Sequence, residues 1–409
     1  MPSTFTWLDY SEHERRTMLD VVELFGEKST VDEIGIGRVR DAFADLLFPG
    51  TSTIQTAAKY FLLVPWTYLC LERKRVGSER IADEARKIET KTIQQLIDSG
   101  AQNGVIGRVA RDTLLRLPSA VYWQGLRTWG IRHFDGSQDF YHRSINDYYS
   151  QNDEIHHRKT VFHGESNESN ANNWDPGIPP VPKGFPDGAS LNLTNEEATF
   201  LRQRVQENCN GSLLEFLLSK KATIDKERFV WELPIDLPAK LQEQVEHGRR
   251  FSEAMHGAQL LYNIILADMK SWQEQISLFQ AEWGTWTNTM NLRLDEFQSW
   301  DLKRFWEIVE GNQAELNSLS PRISSRARDF IEKWIRLVRE SSNIGDLRNS
   351  ENARELIKGR ERQIKKGLAR VGGGRPLELW RGESGAAQLD LRWRSARRII
   401  SEILTGLGT

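Results

Sequence analysis

Between Phe251 and Trp286, apolar residues recur in alternating steps of four and three: Phe251, Met255, Ala258, Tyr262, Ile265, Met269, Trp272, Ile276, Phe279, Trp283 and Trp286. This spacing draws one apolar seam along a helix, because a half-buried strand would alternate every second residue. Five heptads of it predict a single long helix, about 238–290, packed along its length. Ile323, Ala327, Phe330, Trp334 and Leu337 repeat the spacing. A short connection would let the two segments run antiparallel. Rings this bulky suit a helical bundle better than a slender two-stranded coil. The alternative use of the seam is dimerisation or partner docking, so a homo-oligomer stays open. No repeat of solenoid type is visible.

A chain of 409 residues exceeds one ordinary core, so two or three domains are expected. Ser11 and Glu14 form a capping box ahead of an amphipathic stretch reaching Phe25. Further helices are expected over Val39–Leu47, from Ser52 or Thr53 through the apolar run Tyr60–Leu71, and over Ser78–Ile97. Residues 150–191 are rich in Asn, Ser, Gly and Pro, which predicts an irregular linker. Thr194 and Glu197 make a second capping box where helices resume. The expected fold class is mainly α: a helical domain over 1–150, a linker over 151–190 and a helical bundle over 191–409.

With 27% charged residues, 39% hydrophobic residues and a mean hydropathy of −0.55, the chain reads as folded and water-soluble. Tyr60–Leu71 contains Pro65 and is far shorter than the roughly 20 residues of a membrane helix. No secretory signal is legible at the start, so a cytoplasmic location without a membrane partner is expected. Cys70 and Cys209 form no CxxC and read as reduced thiols. The net charge of −2 is unevenly spread: residues 322–409 hold 20 Lys+Arg against 11 Asp+Glu, which leaves −11 on residues 1–321. A basic C-terminal region on an acidic body points to a polyanion or an acidic partner, or to a solvated face rich in Arg.

Catalytic motifs are near misses. Gly35-Ile36-Gly37-Arg38-Val39-Arg40 lacks the third glycine of a dinucleotide fingerprint, and GxxxxGK[ST] is missing throughout. Gly372-Gly373-Gly374-Arg375 reads as a helix breaker. His157-Arg158-Lys159 begins like an HxK nuclease motif but has Gly164 where an Asp is needed. Glu89-Thr90-Lys91 resembles an ExK triplet, yet it lies in a helical stretch where that chemistry needs a strand. His156, His157 and His163 are a weak candidate for a metal, since imidazoles without Cys or an HExxH helix seldom suffice. No cofactor is expected, and the balance favours a protein that is not an enzyme.

Two segments suggest nucleic-acid contact. Within residues 103–145 the order is helix (Val105–Leu115), turn, helix (Ala120–Trp129), then a β-like stretch with a turn (Arg132–Arg143). That is the order of a winged helix-turn-helix. It would present Tyr122, Gln124, Arg127 and Thr128 to a groove, with Arg132, His142 and Arg143 near phosphates. The same order also suits protein contact or a plain helical hairpin. In the basic region, a helix around Arg360–Arg370 carries Lys365, Lys366 and Arg370. A short strand at Leu389–Arg394 and a final helix bring Arg392, Arg394, Arg397 and Arg398. Cations interleaved with Trp393 would track a phosphate backbone, or Trp393 simply anchors the tail.

Phe5–Ser11, Leu47–Thr56, Tyr60–Trp66, Leu117–Trp123 and Leu389–Trp393 resemble signature stretches of an uncharacterised bacterial protein family. The resemblance runs from residue 1 to the C-terminus. That family occurs in anti-phage defence gene neighbourhoods, near helicase-like and nuclease-like genes. The resemblance implies a non-enzymatic accessory subunit that binds DNA or a helicase- or nuclease-like partner, and it carries over no catalytic residue. A cryptic metal-dependent nuclease and a pure interaction scaffold are the alternative readings.

Overall fold

The structure, a computed structural model, describes residues 32–101, 103–108, 114–162, 172–220, 224, 227–315 and 323–408. The amphipathic stretch with the Ser11/Glu14 box, residues 109–113 and His163 lie outside them; the described ends of the helix expected over Val105–Leu115, residues 105–108 and 114–115, are turn and irregular backbone instead of helix. Fifteen α-helices and no β-strand occur among the described residues, so the mainly α class holds. None of these helices is long and apolar enough to cross a membrane.

The residues group into two compact units, divided differently from the expected domains. One joins the described residues up to Ala44 with Leu237–Leu391, and the other joins Asp45–Asp236 with Arg392–Thr409. Residues 191–236 therefore belong with the unit built from the first half, and so does the tail from Arg392.

The first unit is organised by α8 (Ala239–Met269). The single seam helix expected over 238–290 is in fact two, α8 and α9 (Gln273–Leu292), packed against each other as a hairpin. Ser271 takes a left-handed conformation (φ +52°), and Trp272 N–H bonds back to Ala267 O at 3.1 Å. That geometry closes a helix, normally with glycine at the turning position. Here Trp272 packs edge-on against Trp380, and Lys270 Nζ donates to Glu378 O and Trp380 O. Tertiary contacts thus turn the chain where no Gly or Pro signals it. The seam residues Phe251, Met255, Ala258, Tyr262, Ile265, Phe279, Trp283 and Trp286 are all buried, while Met269, at the turn, is exposed.

Gly257 lets the hairpin close, because a Cβ there would overlap the Trp286 ring. Trp286 Nε1 donates to Glu253 O at 2.8 Å, and Trp334 Nε1 on α12 (Ser325–Glu340) donates to Ala254 O at 2.8 Å. We expect Gly257→Ala to destabilise by about 1–3 kcal/mol through overpacking, overriding the roughly 1 kcal/mol a helix normally gains from this exchange. Gly284→Ala on α9, with open space around it, is expected to stabilise. Denaturant titration of both variants separates the two effects.

In the second unit α2 (Tyr60–Arg73) is almost wholly buried, with α3 (Ile81–Asp98) and α4 (Pro118–Thr128) against it. Phe61 stacks on Trp129 at 3.8 Å, and Tyr68 stacks on Trp174 at 5.7 Å. The wing expected after Arg132 is replaced by α5 (Gln138–Phe162). Ser137 Oγ accepts from Phe140 N–H at the start of α5, and Tyr141, Ile145 and Tyr149 are buried at helical spacing. The expected β-like stretch reduces to an isolated bridge between Arg132 and Trp174. The expected linker is corrected as well. Its first residues continue α5, and Trp174 is 3% exposed while Pro179 O accepts from Trp66 Nε1 at 2.8 Å. Residues 172–190 are irregular in backbone but packed. The Thr194/Glu197 capping box opens α6 (Asn195–Asn208) as expected. The strand expected at Leu389–Arg394 does not form, since Leu391 and Arg392 take positive φ and α15 (Trp393–Gly406) begins at Trp393.

Candidate functional site

Most of the cations and rings proposed from sequence are used inside the fold. Tyr122 is fully buried, its hydroxyl accepting from Thr56 N and Ala57 N and donating to Ala57 O. Arg132 is 1% exposed, donates to the carbonyls of Trp123, Phe134 and Gly136, and lies 4.6 Å from the Trp123 ring. Burial lowers its pKa to about 10. His142 is hydrogen-bonded with Tyr68 Oη at 3.0 Å, and burial lowers its pKa. These three therefore face the core, Tyr122 and His142 through partners some 65–74 positions away and Arg132 through neighbours within nine residues. Gln124, Arg127 and Arg143 are exposed, and Thr128 is half-buried. His156 and His157 lie on α5, and no three metal-type ligands gather among the described residues.

The tail divides in the same way. Arg392 is bound by Asp45 and by Thr51 O, Arg397 by Glu227 O at 2.6 Å, and Arg398 by Glu402 at 3.0 Å. Trp393 is fully buried and donates to Glu227 O, which makes it an anchor. Arg394 is exposed. In the first unit, Lys365 and Arg370 turn inward onto Glu33, whereas Lys366 stays exposed.

Lys366 belongs to a lobe made by the end of α13 (Glu351–Lys365), two short 3-10 turns and α14 (Gly374–Glu378), which pack on one another. Lys366, Arg375 and Arg381 are exposed there, beside Leu368 at 75% and Leu379 at 67% exposure. Nothing crowds Gly367, Gly372, Gly373 or Gly374, so the surface around the turns is open.

Behind the lobe lies a polar cleft that the sequence did not reveal. Asp32 accepts from Ile36 N and Gly37 N at 2.7 and 2.8 Å, closing the start of α1 (Gly37–Leu47). Glu33, 4% exposed, holds Lys365 and Arg370. Tyr262 donates to Glu361 at 2.6 Å and accepts from Lys365 and Arg370. Burial raises the Glu361 carboxyl, and hydrogen bonds from Tyr262 and Val371 N–H with the Lys365 charge more than reverse it, leaving its pKa lowered. Burial and the Glu33 charge push the Tyr262 hydroxyl up. Asp32, Glu33, Ile34, Ile36, Arg40, Gln259, Tyr262, Ser384 and Leu389 line a narrow cleft of about 20 Å³, room for about one water molecule. Asn263 fixes its far wall by donating to Ser384 O and accepting from Ser384 N. Gln259 and Glu33 lie 226 positions apart in a pattern with no local signal, and Glu361 sits in a run that reads as simply basic.

Fold and surfaces define a mainly helical protein with an internally neutralised core of charges and an exposed basic lobe. The chain belongs to a family of unknown function, DUF6361, whose model matches residues 2–406. No curated protein and no solved structure matches the chain.

Proposed function

We propose that the chain is a non-enzymatic accessory subunit that contacts nucleic acid through the lobe carrying Lys366, Arg375 and Arg381. The observation that carries this reading is selective exposure. Lys365, Arg370, Arg392, Arg397 and Arg398 are held by carboxylates or carbonyls, while these three cations stand on an open surface. Exposed cations on flexible stems suit a phosphate backbone, whose binding releases counterions. The signature stretches shared with a defence-associated bacterial family support a place beside a helicase- or nuclease-like partner.

Fluorescence anisotropy with labelled single- and double-stranded DNA over a salt series tests the proposal. Affinity is expected to fall linearly with salt on logarithmic axes. Replacing Lys366, Arg375 and Arg381 together by Ala is expected to flatten the duplex slope by roughly 2–3, since each phosphate contact contributes about 0.9. Replacing Gln124, Arg127 and Arg143 instead should leave the slope unchanged. Absence of binding at low salt would overturn the reading.

A further inference from the structure

The outside of α9 carries a second heptad seam. Leu278, Ala281, Thr285, Asn288 and Leu292 follow one another in steps of three, four, three and four, and all five are exposed. They lie on the side of the helix turned away from Phe279, Trp283, Trp286 and Met290, which are buried. Leu278 is 48% exposed and Leu292 is 88% exposed. Scattered single leucines on a surface are ordinary, but these two share one line along the helix, about 21 Å apart.

The charges on α9 point the same way. Glu274 and Glu282 are the only ones among its twenty residues, whereas α12 carries eight among sixteen. The solvent side of a surface helix is normally charged, and charge is depleted at the centre of protein interfaces.

This face is complementary to itself. Leu278 and Leu292 each lie seven residues, about two turns, from Thr285. A twofold axis near Thr285 therefore turns Leu278 of each copy toward Leu292 of the other, with Ala281, Thr285 and Asn288 between them. Side chains of that size let two helix axes approach to about 8 Å. Antiparallel pairing also carries Glu282 toward Asn288 of the second copy. A parallel pair in register would set Glu274 and Glu282 each against its own like charge, which is unfavourable.

We propose that α9 pairs with α9 of a second copy of this chain, antiparallel about a twofold axis near Thr285. The face shares no residue with the basic lobe, so the dimer stands or falls independently of the nucleic-acid reading. One helix pair is a small interface, and association is expected to be weak and concentration-dependent.

Sedimentation velocity on the full chain, taken to high micromolar concentration, is expected to show a reversible dimer. Thr285→Arg places two like charges at the axis and is expected to weaken association more than about tenfold. Thr285 is exposed and its hydroxyl donates to Ala281 O at 3.2 Å within α9, so the fold tolerates the change. Asn291→Arg, exposed on the same helix but off the seam, should leave association unchanged. In a Cys70→Ser background, oxidation of Thr285→Cys is expected to give a covalent dimer and oxidation of Leu292→Cys is not, because only positions near a twofold axis meet their own copies. A chain that stays monomeric throughout overturns the proposal, as does a dimer that survives Thr285→Arg. Equal cross-linking of Thr285→Cys and Leu292→Cys overturns the antiparallel arrangement.

Discussion

Lys59→Met is expected to destabilise the second unit by about 3–5 kcal/mol, because it strands a buried carboxylate. Lys59 Nζ lies 2.6 Å from both oxygens of Glu197, and each side chain is only 8% exposed. The same ammonium donates to Asn192 O at 3.1 Å and sits 5.2 Å from the Trp66 ring. Removing it leaves Glu197 charged, desolvated and supported only by the capping box with Thr194. The pair itself contributes far less than its rupture costs, since desolvation of both ions offsets most of their attraction. Lys59→Met with Glu197→Gln should therefore recover most of the loss, as Gln preserves the capping box. Denaturant titration of the two single variants and the double variant measures the coupling. A double variant as unstable as Lys59→Met alone would show that Lys59 acts through its packing.

Glu89→Gln is expected to change how stability depends on pH. Glu89 is 3% exposed on α3 and accepts from Ser119 N at 2.8 Å and Ser119 Oγ at 2.7 Å. Gln138 Nε2 links Ser119 Oγ to Tyr68 Oη, at 2.9 and 2.6 Å, and Tyr68 continues to His142. Burial raises the Glu89 carboxyl to about 7, opposed by the bonds from Ser119. The folded state thus binds more protons than the unfolded state between the ordinary carboxyl range and pH 7. Stability falls as pH rises through that window, by roughly 3 kcal/mol in all. Gln keeps an acceptor for Ser119 N–H and carries no charge to desolvate. The variant should match the parent near pH 4 and exceed it by up to that amount at pH 8. Half-buried Glu72 and Glu402 are also raised and add slope of the same sign, so the difference between variant and parent is the readout. Parallel curves for the two proteins from pH 4 to pH 8 would refute the assignment.

Helices over Val39–Leu47 and Ser78–Ile97 were legible because each combines an apolar periodicity with a local stop or start signal, whereas the helix expected from Ser52 or Thr53 begins only at Tyr60. The Thr194 capping box was legible for the same reason: both of its hydrogen bonds lie within three residues. The winged-helix reading failed after Arg132 because Phe140 and Tyr141 have strong strand character, while the helical burial of Tyr141, Ile145 and Tyr149 depends on α2 and on Trp174. Charge counts cannot distinguish Arg392, which binds Asp45 across 347 positions, from Arg381 on the surface.

Periodicity, capping boxes and composition, all short-range properties, determined that the chain is helical, where several helices lie and that an apolar seam organises its second half. Only the tertiary structure decided that the seam folds back at Ser271, that the chain returns to close the second unit, and which charges face inward. Those choices rest on partners brought together across tens to hundreds of residues, Trp272 with Trp380, Trp393 with Phe48, Glu33 with Arg370, and no local pattern encodes such pairs. The cleft lined by Glu33, Gln259 and Ser384 belongs to the same class, because its walls meet only when segments far apart in sequence have been placed.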